Sequence, residues 1–253
     1  MRLTGLGRAL FALSFAVTGA LAIITRDFGL MWRPLADGNP WHDTLAILGG
    51  TLLFAAAIAL VIARTAQIAA LALAGFLLLR ELVLQLPVVF ARPLVEASWY
   101  SVSENLILLA GAWTIFSLVP REKGVLARLR QVRTGQILFA LALPAIGLSH
   151  MFYLDQTAPL IPPWLPFHVP LAYLTGAAHI AAGIAILFDV LPRLAATLEA
   201  VMVSLFTLLV WVPTVGSHLT NRFDWSEICV STAIAGAAWA VAESFRSRSW
   251  LRS

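Results

Sequence analysis

Arg80 and Glu81 stand side by side in a stretch that is otherwise apolar, and Glu104 opens the next such stretch. Ionisable side chains at membrane depth are costly, so each implies a partner, a ligand or a proton path. Arg80 can neutralise Glu81 or Glu104 across neighbouring helices. The bland reading is a pair that orients two helices, and the sharper one is a polar pocket open to the outer side. A second set follows later in the chain: His150, His179 and Glu199, with His218 beyond them. A neutral imidazole in a helix bundle can be a packing hydrogen bond, a partner for a quinone carbonyl, a proton relay or a haem ligand. Counted along their spans, His150 and His179 differ in depth by about half the hydrocarbon thickness, which argues against a shared haem. No HxxxH or ExxH spacing occurs, so no metal site is expected. Two loops are rich in Trp, Pro and His, with Trp32, Pro34, Pro40, Trp41 and His42 in one and Pro162, Pro163, Trp164, Pro166, Phe167 and His168 in the other. They read as interfacial caps, or as lids over a lipid-like ligand.

The elements that must hold these residues are set by composition. Of 253 residues, 60% are hydrophobic and 12% charged, with a net charge of +4. A soluble domain averages about 25% charged residues, so a soluble enzyme domain is excluded, as are a disordered chain and a disulfide scaffold. The expected fold is all-α, a polytopic membrane protein of eight transmembrane helices over 8–25, 44–63, 67–88, 101–119, 135–152, 170–188, 194–214 and 227–244. The lone cysteine, Cys229, leaves no disulfide, no CxxC pair and no Cys-ligated cluster within the chain.

With the N-terminus inside, the inner segments hold Arg2, Arg8, Arg64, Arg121, Lys123, Arg128, Arg130, Arg133, Arg193, Arg246, Arg248 and Arg252. The outer loops hold only Arg26, Arg33, Arg92 and Arg222. This bias places both termini in the cytoplasm, and in a bacterium the protein in the inner membrane. The basic balance is therefore a membrane signature and implies no nucleic-acid partner.

The halves repeat. The run from Gly7 to Gly19 lies over Gly135 to Gly147 at an offset of 128, and Leu45–Gly50 lies over Leu171–Gly176 at 126. At that second offset Pro87 meets Pro213, Trp99 meets Trp225, Trp113 meets Trp239 and His42 meets His168. The chain divides into a first four-helix unit at 1–120, a basic linker at 121–134 and a second unit at 135–253. An even number of spans per unit makes these parallel four-helix-bundle repeats. The first span has signal-peptide features, including Ala20-Leu21-Ala22, but its recurrence as span five argues against cleavage. Arg80 and Glu81 correspond to Phe206 and Thr207, so the charged pair belongs to the first half alone.

Gly147-Leu148-Ser149-His150-Met151-Phe152, the Pro162-Pro163-Trp164-Leu165-Pro166 loop, Tyr173-Leu174-Thr175-Gly176 and Gly183–Leu187 occur in that order. This order resembles the DoxX-like family of four-helix membrane proteins, here duplicated in tandem. In that family a Glu often stands where this chain has His179. The resemblance covers 135–244 well and 7–119 through the repeat. It implies the fold more than the function: one branch, DoxD, is a membrane subunit of thiosulfate:quinone oxidoreductase, and other members are linked to redox homeostasis or to receptor assembly.

The favoured expectation is a membrane subunit or accessory protein of a quinone-linked redox system, with quinone as the ligand and no intrinsic cofactor. The alternatives are a non-enzymatic assembly factor or anchor, then a small-solute transporter. Whether the chain is an enzyme is left open. The candidate ligand-binding residues are His150, His179, Arg80, Glu104, Glu81, Tyr173, Trp164 and Glu199. The expected partners are the lipid bilayer, a redox protein and a second copy of the chain.

Overall fold

The computed structural model describes residues 3–28, 38–119 and 129–251. Trp32, Arg33 and Pro34 of the first loop, Arg121, Lys123 and Arg128 of the basic linker, and Arg2 and Arg252 lie outside the described residues. The fold is all-α, and among the described residues there is no strand.

Eight helices are long and apolar enough to cross a bilayer. They are α1 (Leu3–Thr25), α2 (His42–Val61), α3 (Ala66–Ala91), α4 (Glu96–Leu118), α5 (Val132–Phe152), α6 (His168–Leu187), α7 (Pro192–Ser217) and α8 (Arg222–Ser244). The chain is thus a multi-pass membrane protein. With most backbone groups paired inside each helix, hydrocarbon is a tolerable solvent for it. The α4 and α8 helices start a turn before their apolar runs. Asn221 explains one start, because its side-chain oxygen accepts from the Phe223 amide at 3.0 Å. Pro192 at the first turn of α7 fixes another. The face carrying the start of α1 and the end of α8 is called proximal below, and the opposite face distal.

The α3 and α7 helices share an irregularity. Each contains one π-helical stretch, Glu81–Gln85 and Thr207–Trp211, just before Pro87 and Pro213. A proline inside a helix lacks a donor, and its ring clashes with the carbonyl four residues back. Widening the preceding turn relieves both problems: the Leu86 amide donates to the Glu81 carbonyl, and the Val212 amide to that of Thr207. Such bulges mark functional segments often enough to direct attention here. The bounds of α2, α3 and α4 recur in α6, α7 and α8 at a constant separation of 126 residues.

The packing departs from two self-contained four-helix bundles. Within each half the first and last helices barely touch. Instead α1 packs along α8, α5 packs along α4, and α4 and α8 lie against each other in the middle. These two central helices are the most buried of the eight. The contacts are reciprocal. A Cβ on Gly7 would stand 2.7 Å from the Ala240 nitrogen, and one on Gly236 would stand 2.6 Å from the Phe11 nitrogen. Gly135 meets Ala110 and Thr114, the positions that correspond to Gly236 and Ala240. Gly111 meets its own counterpart, Ala237, across the centre. Lipid tails are as apolar as leucine, so close backbone approach at small residues holds these helices together. The same device joins α1 to α2 at Gly19 and Gly50, and α5 to α6 at Gly147 and Gly176.

Candidate functional site

Two polar clusters lie within the membrane, one in each half. In the first, the Arg80 Nη1 donates to Asn105 Oδ1 at 2.5 Å. The Asn105 amide nitrogen donates to Glu81 Oε2 at 2.5 Å and to the Leu77 carbonyl at 3.0 Å. An amide suits this place because it accepts from the cation and donates to the anion at once. Arg80, Glu81, Glu104 and Asn105 are all buried. Glu104 accepts from the Tyr100 hydroxyl at 3.4 Å and stands within electrostatic range of Arg80.

Asn105 escaped the sequence reading because a single neutral amide in an apolar run looks unremarkable. The repeat held a signal for it. Asn105 corresponds to Ser231 and Glu81 to Thr207, so both positions are polar in both halves. Thr207 Oγ1 and Ser231 Oγ are 2.6 Å apart. Thr207 also donates to the Val203 carbonyl at 3.0 Å, so its hydrogen is committed and Ser231 is the donor between them. The link that joins α3 to α4 at the start of one π stretch thus joins α7 to α8 at the other. Only the first is charged. Ser231→Ala is expected to cost about 0.6 kcal/mol, the average for such bonds in membrane bundles. Unfolding in mixed detergent would measure it, and coupling with Thr207→Val in a double-mutant cycle would assign it to this bond.

Arg80 also lines a cleft of about 530 Å³ walled by α1, α2 and α3. Ala22 lines it from α1, Leu48 and Gly49 from α2, and Leu79 and Val83 from α3. The lining is almost wholly apolar. Leu48, Leu79 and Val83 are also exposed on the outside of the helices, so the cleft opens sideways toward lipid. Its volume falls in the usual range for small-molecule sites. Phe28 closes part of the distal end.

The second cluster, in the other half, stands where the first half has the cleft rather than where it has its charged cluster. His150 corresponds to Ala22 and His179 to Leu53, both of which line the cleft, and Phe206 replaces Arg80. His179 Nδ1 lies 2.8 Å from Glu199 Oε1, and both residues are buried. The His150 ring lies 5.2 Å, centre to centre, from that of His179. This contact corrects the expected half-membrane separation. The end of α5 is not level with the start of α6, because a helical turn at Leu154–Thr157 and a 3-10 turn at Ala158–Leu160 intervene. Packing then sets Gly176, eight residues inside α6, beside His150. Rings in contact leave no space between them for a macrocycle, so the geometry opposes a shared haem for a different reason than depth.

Of the remaining candidates, Tyr173 is half exposed on α6 and Trp164 is exposed in the preceding loop, away from the cluster. Six residues separate Tyr173 from His179, which turns the two side chains to different sides of the helix. On the distal face, Asp27 pairs with Arg222 at 3.0 Å and approaches His42 at 3.4 Å, tying α1 to α8 and α2. His42 is therefore part of a helix junction rather than of a loop cap. Trp99 and Trp225 each donate to a turn carbonyl, of Pro93 and Leu219, at 2.9 Å. No group of three or more metal-ligating side chains occurs among the described residues.

Fold and site together define a polytopic helical membrane protein with two unlike polar clusters, one in each half. Comparison with protein-family models, curated proteins and solved structures finds no match to this chain.

Proposed function

We propose that this chain is a quinone-binding membrane subunit or accessory protein of a redox system, a tandem member of the DoxX-like group. The single observation that carries this reading is the lipid-facing cleft with Arg80 in its wall. A quinone brings a flat, largely apolar head with carbonyl acceptors on an isoprenoid tail. Such a molecule enters from lipid, and the guanidinium is a donor suited to its carbonyl. The apolar lining along Leu48, Gly49 and Val83 suits the tail. The charge bias supports cytoplasmic termini in a bacterial inner membrane, which would turn the distal face to the periplasm. The chain has no cofactor motif, so electrons would come from a partner protein.

The test is mass spectrometry of lipids that accompany the full chain when it is extracted in mild detergent from quinone-containing membranes. About one quinone per chain is expected. Gly49→Phe adds a ring at the cleft wall, where a Cβ meets only Phe28 at 3.8 Å. That variant should retain at least about tenfold less quinone, a loss of about 1.4 kcal/mol in binding. Equal quinone in both proteins, or none in the unaltered chain, would overturn the reading.

A further inference from the structure

We propose that the His179–Glu199 pair holds one exchangeable proton inside the membrane, and that His150 passes it toward the distal side. This is independent of the quinone reading, because the pair sits in the other half from the cleft.

The tautomers follow from the contacts. His150 Nδ1 faces the Ile146 carbonyl at 2.9 Å. A carbonyl can only accept, so Nδ1 carries the hydrogen and Nε2 of the neutral ring is an acceptor. While Glu199 is ionised its Oε1 can only accept, so His179 Nδ1 is the donor between them and its own Nε2 is left as an acceptor. Glu199 is 2% exposed, and its Oε2 has no hydrogen-bond partner among the described residues. With an ionised carboxylate and a neutral imidazole, the pair would bury a net negative charge and an orphan oxygen. Both are costly away from water. One added proton makes the pair neutral, seated on His179 Nε2 or on Glu199 Oε2. A second would bury a net positive charge. The one-proton state is therefore the state that burial selects.

The surroundings add little competing charge. From α5, His150 is in ring contact with His179, whereas Arg133 is engaged at the proximal end of α6 with the Ile186 and Leu187 carbonyls. From α8, which packs against α7, Glu243 is paired with Arg246, and Asp224 and Glu227 lie in the distal turns. On α7 itself Arg193 is bonded to the Arg248 carbonyl, and beside α6 Asp155 lies in the distal turn Leu154–Thr157. Transfer is a simple proton step. The rings, 5.2 Å apart centre to centre, must turn to bring their Nε2 atoms together; the N–H bond at His179 Nε2 then opens, its electron pair stays on that nitrogen, and a new N–H bond forms at His150 Nε2. His150 is then an imidazolium that releases the proton to water on the distal side, and nothing is oxidised or reduced.

The experiment is infrared difference spectroscopy of the full chain in phosphatidylcholine nanodiscs, cycled between acid and alkaline buffer in light and heavy water. Among the bands of the chain's other carboxyls and imidazoles, one reversible, deuterium-sensitive component from the pair is expected. It should vanish in Glu199→Gln and in His179→Gln. In His150→Gln it should keep its amplitude and form about tenfold more slowly, one decade in rate being the resolution needed. A pair that merely ties α6 to α7 would contribute no such component to the spectrum of the unaltered chain, and that result overturns the proposal. An unchanged signal in folded Glu199→Gln also overturns it. If Glu199→Gln loses its helical circular dichroism, Glu199→Asp decides, because the shorter carboxyl keeps the proton seat and must retain the signal at a shifted frequency. Quinone content of the same samples should match the unaltered chain, so failure here is separable from failure of the quinone reading.

Discussion

Gly147→Leu is expected to part α5 from α6 and to cost about 3 kcal/mol or more, the upper end of the range for overpacking. The obstacle explains the size. A Cβ at Gly147 runs into the Gly176 carbonyl oxygen and stands 2.7 Å from Ile180 Cγ1. The side chain of Ile180 can turn away, but a helical carbonyl cannot move without taking its helix along. In water the lost packing would be partly offset by other apolar burial, whereas in lipid the helices lose the contact that favours association. The separation would also pull His150 from His179, because Gly176 lies against His150. Loss of a monodisperse species in detergent and a lower unfolding midpoint would register the effect. Gly75→Leu is the control, since a Cβ there meets nothing within 4 Å, and it should stay within about 0.5 kcal/mol of the unaltered chain. Equal midpoints for the two variants would refute the crossing argument.

Arg80→Met is expected to cost about 3–5 kcal/mol, the usual result of removing one partner from a buried charged cluster. The loss is not the worth of a single bond. Without the guanidinium, Asn105 Oδ1 loses its donor, and Glu81 and Glu104 remain buried with less compensation. Neutralising both carboxylates as well, in Arg80→Met with Glu81→Gln and Glu104→Gln, should recover more than half of the loss. That non-additivity is the signature of a shared network. The unfolding midpoints of the single and triple variants make the comparison. A single variant within about 1 kcal/mol of the unaltered chain would show that Arg80 is not structurally required. Stability and quinone retention are then separable in the triple variant, which removes the cleft's donor without leaving orphaned charge.

The spans were legible because about twenty apolar residues in a row admit few other readings. Their ends were less so, since Glu96, Arg222 and Asp224 look like loop residues although they occupy first helical turns. The arrangement of the helices was hidden for a physical reason. In lipid, a face turned outward and a face turned to a neighbour are both apolar, and α2 has the same hydrophobicity all round. Nothing along the chain says that Gly7 lies against Gly236. Of the polar residues, Arg80, Glu81 and Glu104 lie together as their adjacency along the chain suggested, whereas the contacts of His179 with His150 and with Glu199 were not foreseen. What reading along the chain lacked was relative height, and without it two histidines in contact looked far apart.

The reciprocal packing has a meaning in time. Of the two equivalent contacts, α4 with α5 joins neighbours along the chain, whereas α1 with α8 joins its two ends. Translation at about 5–20 residues per second puts an interval on the order of 10–50 s between Gly7 and Gly236. Through that interval the glycine face of α1 has no α8 to meet and must lie against lipid or a provisional neighbour. Assembly can therefore proceed from the middle of the chain outward, and closure waits for the last helix to be made.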